Sequence, residues 1–361
     1  MRRVSAILIL AALLLALCGC GSGDAGSAAP AAAPTEDPGT QIHLTGGSAE
    51  ITGGGARVQG GTVTISAVGT YTLSGTLDEG QIVVDTGDDA MDVTLILDGV
   101  SVTNSAGPAI HIRQAKDTRL QLRGENRLVS GTEADLAAYD GSGSGAALYA
   151  EDDLDIEGEG SLEILGYLNN GLTCKDDLDI NSGTITVTAA NNGIRTSDSL
   201  QLKGGTVFVT AGNDGLKAQN AKRDGKDYVE LRGGSLTVEA GGDGIQAGAA
   251  GSGVGEIRLT GASVQIFAHK QALQAESGVL LQGGEVLALC GSHNQAAPDE
   301  AQLPYLLCAL SGSAGDAVTI GEARYDARAA YKTVFFASAS LHAGESVTVS
   351  NGRSETAAAV S

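Results

Sequence analysis

The sequence predicts an all-β protein, a parallel β-helix with three short strands and about 22 residues per coil and capping segments at both ends. Three observations carry this. A phrase of fixed shape returns every 22 residues, as "NNGLTCKDDLDINSG" from Asn169, "NNGIRTSDSLQLKGG" from Asn191 and "NDGLKAQNAKRDGKDYVELRGG" from Asn213. Each copy holds three runs of alternating apolar residues parted by Gly, Asn and Asp, the pattern of half-buried strands joined by tight turns. Finally, 42% of residues are hydrophobic but only 3% aromatic, with 53 Gly and no Trp, so any core is built of Leu, Ile, Val and Ala. Three short strands cannot bury their apolar face alone; coil must stack on coil, each adding about 4.8 Å along the axis.

Taken in order, residues 1–20 read as a lipoprotein signal peptide. "MRR" is a positive start, "VSAILILAALLLAL" an apolar run, and "LCGC" a lipobox with Leu17 at −3, Gly19 at −1 and Cys20 as the lipidated residue. Cys18 would put the large Leu17 where a small residue is needed; an ordinary cleaved secretory signal is the other reading. Residues 21–41, small, polar and Pro-punctuated, read as a flexible linker. No later segment is long and apolar enough to span a bilayer. The expected location is outside the cell, anchored by lipid to the outer face of a bacterial membrane.

Residues 42–108 are rich in strand signals without a clear repeat and read as N-terminal coils and cap. Residues 109–290 carry the repeats, beginning with a degenerate unit from Ala109 and running through units from Ala147, Gly171, Gly193, Gly215, Gly244 and Ala272. In the unit from Gly171 the inward residues are Leu172 and Cys174, then Leu178 and Ile180, then Ile185 and Val187. Residues 291–361 read as a C-terminal strand cap, with "YKTVFFASASLHAGESVTVSNG" as a small strand pair covering the open end. No segment after residue 20 has a helical period.

Stacking turns distant residues into columns. Asn170, Asn192, Asp214 and Asp243 form one, followed by Gly171, Gly193, Gly215 and Gly244 at a sharp corner where positive φ is expected. Asp152, Asp153, Asp176, Asp177 and Asp198 fall in the turn after the first strand of their units, where stacked carboxylates repel unless a cation neutralises them. Calcium takes several carboxylates and carbonyls in such a geometry; a solvated acidic edge is the alternative. Asp214 and Asp243 are further metal candidates, against a role in satisfying backbone groups. Arg195, Lys217 and Gln246, with Gln274 beyond them, form an outward polar strip suited to sugar hydroxyls and carboxylates. The net charge of −21 excludes a nucleic-acid partner held by Lys and Arg, though divalent cations can bridge to an acidic polymer. Cys174 reads as a small buried residue, and Cys290 with Cys308 leaves a disulfide open.

The succession "VTISAVGTYTLSGTLDEGQIVVD", "VTLILDGVSVTNSAGPAI", "AALYAEDDLDI" and the serial (N/D)(N/D)G(I/L) units resembles the bacterial carbohydrate-binding β-helix family, over roughly residues 60 to 350. Members are exported proteins that bind cellulose and polygalacturonate, and their right-handed β-helix is similar to that of polysaccharide lyase family 9. The resemblance implies carbohydrate binding with calcium held by acidic turns, carried over to Asp152, Asp153, Asp176 and Asp177. Related lyases set a Lys base beside calcium-holding aspartates, and Lys217 matches that place by location only. Where the corner would read DDG, this chain has NNG twice and GDG once.

Three functions follow as expectations. The first is a non-catalytic, monomeric, lipid-anchored binder of acidic polysaccharide, pectin-like or cellulose, through a calcium-loaded face; the lack of Trp disfavours flat stacking on crystalline cellulose. The second is a calcium-dependent pectate-type lyase with Lys217 as base. The third is a structural or adhesive surface repeat protein.

Overall fold

A computed structural model describes residues 39–87, 92–136, 144–220, 226–292 and 294–361. The leader, Cys20, the linker up to Pro38 and His293 lie outside the described residues. The body of the protein, Gly39–Ser361, is a parallel β-helix of the expected kind.

The coil starting at Gly171 shows the plan. Its first strand is Leu172–Cys174, its second Leu178–Ile180 and its third Thr184–Ala189. Each pairs in parallel with its counterpart one coil on: Leu172 with Ile194, Leu178 with Leu200, Ile185 with Val207. All six inward residues named from the sequence are at most 1% exposed. First strands make their own ten-stranded sheet, parallel from Thr62–Ile65 to Leu273–Ala275, with Ala56–Gln59 added antiparallel at the start. Second and third strands share a sheet, because Val93–Asn104, Glu256–Ala268 and Gly278–Cys290 run through the corner between them.

Three corners recur: an acidic one between first and second strands, a glycine one between second and third, and an amide one leading into the next coil. Positive φ belongs to the glycine corner, at Gly183, Gly205 and Gly234 (+94°, +79° and +73°). Gly171, Gly193, Gly215 and Gly244 at the amide corner do not have it, contrary to expectation. They are glycine for lack of room: a Cβ on Gly193 would lie 2.1 Å from Val209 Cγ1 and 2.7 Å from the Gly215 carbonyl. Close approach of stacked backbones, rather than handedness, sets the requirement there.

The ends depart further from the sequence reading. The first strand begins at Thr40, and hairpins Thr40–Gly46 with Ala49–Thr52 and Ala56–Gln59 with Thr62–Ile65 open the stack. At the other end the cap is more than a strand pair. Tyr331–Ala337 lies antiparallel between Val286–Cys290 and Tyr305–Gly312, ending the third-strand ladder. A separate four-stranded antiparallel sheet, 317–320, 323–326, 346–350 and 355–359, packs with it around a second core that includes Phe267, Tyr331 and Phe336. One helical turn, Glu133–Leu136, occurs in the insertion before Leu148–Ala150; Thr132 Oγ1 accepts from the Asp135 amide at 3.3 Å, a short N-cap too brief to show a period in sequence. Cys174, Cys290 and Cys308 are all free thiols, which settles the disulfide question in the negative.

Candidate functional site

The acidic corner gathers carboxylates in two adjacent columns. The register that pairs Leu154 with Leu178, Leu200 and Val229 brings Asp152, Asp176, Asp198 and Asp227 into one, and Asp117, Asp153 and Asp177 into the other. Carboxylate oxygens of Asp153, Asp176 and Asp177 lie within 4.8 Å of one another. Part of their capacity holds the turn. Asp153 Oδ1 accepts from the Asp177 amide at 3.1 Å, and Asp177 Oδ1 from the Ser199 amide and hydroxyl at 2.9 and 2.7 Å. Asp152 Oδ2 likewise accepts from the Ala115 amide at 3.0 Å.

The remaining negative charge meets an internal cation. Lys226 Nζ lies 3.1 Å from Asp177 Oδ2, 3.2 Å from Asp198 Oδ2 and 3.7 Å from Asp176 Oδ1. Burial and the neighbouring Asp198 and Asp153 carboxyls push Asp176 up to about 6. Burial also raises Asp198, but hydrogen bonds with Asn220, Asp176 and Lys226 outweigh it and hold this carboxyl below the ordinary range. Neither Lys226 nor Asp227 stood out in the sequence. They follow an insertion in the unit from Gly215, and only the three-dimensional register assigns Asp227 to the column. As a donor set the corner fits a hard cation: three carboxylates converge, and Asp176 Oδ1 is buried and, among the described residues, without a hydrogen-bond donor.

At the amide corner Asn170, Asn192, Asp214 and Asp243 stack as expected, and their oxygens cap the coil above. Asn170 Oδ1 accepts from the Asn192 amide at 3.1 Å, Asp214 Oδ1 from the Asp243 amide at 3.0 Å, and Asp243 Oδ1 from the Gln271 amide at 2.9 Å. Asp214 Oδ2 binds Lys217 Nζ at 2.9 Å in a pair that is 4% and 17% exposed. Asp214 and Asp243 are thus supplied with protein donors and stand at a different corner from the Asp153 cluster.

The outward strip lies on the first-strand sheet. In strict register run His111, Tyr149, Thr173, Arg195, Lys217, Gln246 and Gln274. At its N-terminal end the strip sinks into a groove of about 490 Å³ lined by His111, Tyr149, Glu151, Thr173, Lys175 and Arg195 among others. His111 Nε2 and Glu151 Oε1 are 2.9 Å apart, and the His111 and Tyr149 ring centres 5.0 Å. The sequence reading found Arg195, Lys217, Gln246 and Gln274 but missed Tyr149 and Lys175. Tyr149 holds the outward place of "ALYA" and was legible by alignment of the coils; Lys175 sits in a turn, where no alternation fixes direction.

Comparison with known proteins fits this architecture. The sequence model of a family described as carbohydrate-binding domain-containing protein matches residues 59–253 and 224–360. A protein of that description from Acetivibrio thermocellus is 33% identical over 190 residues, 50% of this chain; the match spans 65% of that relative's own length. A solved structure titled as the polysaccharide lyase-like protein from C. thermocellum, gadolinium derivative, superposes with a TM-score of 0.58 at 28% identity, over 71% of this chain and 97% of that one. With the stacked coils, the outward polar strip and a family match along most of its length, the chain belongs to the carbohydrate-binding domain family.

Proposed function

We propose that this protein binds an acidic polysaccharide of the polygalacturonate or pectin type, with cellulose as a second polymer, and does not cut it. The observation that carries this reading is the strip on the first-strand sheet. It offers one polar side chain per coil at about 4.8 Å intervals, close to the advance of one pyranose along an extended chain. Arg195 and Lys217 suit carboxylates, and the side-chain amides of Gln246 and Gln274 are of the kind that suits hydroxyls. Membership of a carbohydrate-binding family supports the polymer class.

Calcium belongs to the same reading. Asp153, Asp176 and Asp177 would hold it, with Asp152 and Asp198 beside them, and a bound ion would neutralise carboxylates of protein and polymer together. Lys226 competes for these oxygens. The leader and Cys20 support attachment to the outer face of a bacterial membrane as a lipoprotein.

A lyase needs its base beside the cation-bound uronate. Lys217, the middle residue of its three-residue first strand, is instead held by Asp214 of the amide corner, which favours binding alone. Electrophoresis through gels cast with polygalacturonate tests the proposal. Retardation, stronger with calcium than with chelator and without unsaturated product absorbing in the near ultraviolet, is expected. Such product would establish a lyase. Unchanged mobility against every polysaccharide, with the fold intact, would leave the structural or adhesive reading.

A further inference from the structure

We propose that the groove between Tyr149, Lys175 and Arg195 is a subsite that grips one carboxylated sugar residue directly, without any metal ion. The inference rests on the polysaccharide-binding reading and adds to it a charge-reading element separate from the acidic corner.

The first ground is charge. The chain carries 43 acidic residues against 22 basic ones, and several cations of the coils are engaged: Arg119 by Glu157, Lys203 by Asp179, and Lys217, next in the strip after Arg195, by Asp214. Lys175 and Arg195 line the same groove, yet among the described residues neither has a carboxylate within ion-pair distance. Two cations left without partners in a concavity of an acidic protein complement an anionic ligand. Glu151, the acidic residue of the groove, is turned to His111 at 2.9 Å, so the Lys175 and Arg195 side remains positive.

Shape and hydrogen bonding narrow the anion to a sugar acid. Tyr149 is partly exposed beside Arg195 and offers an aromatic face of the kind that receives the C–H face of a pyranose. Asn169 Oδ1 accepts from Asn191 Nδ2 at 2.8 Å, and among the described residues its own NH₂ meets no acceptor and can donate to a hydroxyl. Arg195 can meet a carboxylate with two parallel N–H donors, and Lys175 adds a mobile charge from the turn. A small inorganic anion would use the cations and leave ring and amide idle; a neutral sugar would leave both cations idle.

Calorimetric titration of chelator-treated protein with a galacturonic acid trimer and with its methyl ester provides the test. The acid should bind and the ester should bind at least about tenfold more weakly, as expected for loss of charge-assisted hydrogen bonds. Arg195→Gln and Lys175→Gln should each cost about tenfold toward the acid while leaving the ester unchanged. Tyr149→Ala should weaken both and Tyr149→Phe neither, and Lys332→Gln on the distant cap should change nothing. Equal affinity for acid and ester, indifference to both charge substitutions, or binding of the trimer only with calcium would each overturn the subsite. Gel retardation by the polymer with calcium would still stand in those cases, so loss of the subsite and loss of the broader proposal are distinguishable. Thermal melting matched to wild type shows that a variant has kept its fold.

Discussion

Asn192 serves three neighbours with one side chain. Its Nδ2 donates to Asn170 Oδ1 at 3.0 Å, and its Oδ1 accepts from Asn213 Nδ2 at 3.1 Å and from the Asp214 amide at 3.3 Å. Buried polar groups that lose a partner cost more than the bond was worth. Asn192→Ala should therefore destabilise the protein by about 1–3 kcal/mol, read from the midpoint of denaturant unfolding. Asp176 makes a prediction of opposite character. Its folded value of about 6 stands above the unfolded 3.8, so the folded state binds the proton more tightly. That contribution to stability is present below the unfolded value and is lost as pH rises through the window up to about 6. Asp198, held low, acts in the other direction only at more acid pH. Melting series across the window should slope downward in wild type relative to Asp176→Asn; parallel curves would exclude the effect. Lys226→Gln removes the resident cation of the same cluster and should tighten calcium binding in a calorimetric titration, whereas weakening would mean the lysine supports the ion rather than competing with it.

Each strand is too short to stand alone, and its stability comes from neighbours above and below. Leu200 is 1% exposed, between Leu178 and Val229 in the second-strand ladder. Leu200→Ala should cost about 2–5 kcal/mol, measured as a lowered unfolding midpoint. Gly193→Ala tests the corner: a Cβ has nowhere to go between Val209 and the Gly215 carbonyl, so stability should fall by about 1–3 kcal/mol although φ is ordinary. At this scale the sequence was most readable. Alternation placed Leu172, Cys174, Leu178, Ile180, Ile185 and Val187 inward because period two leaves a strand residue only two directions. Glycine was harder to read, since its presence does not say whether handedness or crowding demands it. Side chains in turns, Lys175 and Lys226 among them, follow no period, and the contacts at the acidic corner and in the groove beside Tyr149 are partly theirs.

For the whole molecule, closure of both ends decides whether a repeat protein remains single. A parallel ladder would otherwise present unpaired N–H and C=O groups to the next copy. Tyr331–Ala337, in the segment whose strand signals marked it as covering the open end, meets the last third strand in antiparallel sense and is backed by a second core; that pairing and that core follow no repeat and were not legible in sequence. A chain ending at Ser292 should self-associate in size-exclusion chromatography with light scattering; a monodisperse monomer would show that the cap is dispensable for this purpose. The closed ends also leave the middle of the stack modular. Because every winding brings its own corners and inward residues, inserting or removing a whole one between intact termini changes the length of the outward polar strip by a single step and leaves its remaining positions in phase. On the proposed binding mode, duplication alone would retune the protein to longer or shorter stretches of polymer, with no new chemistry required.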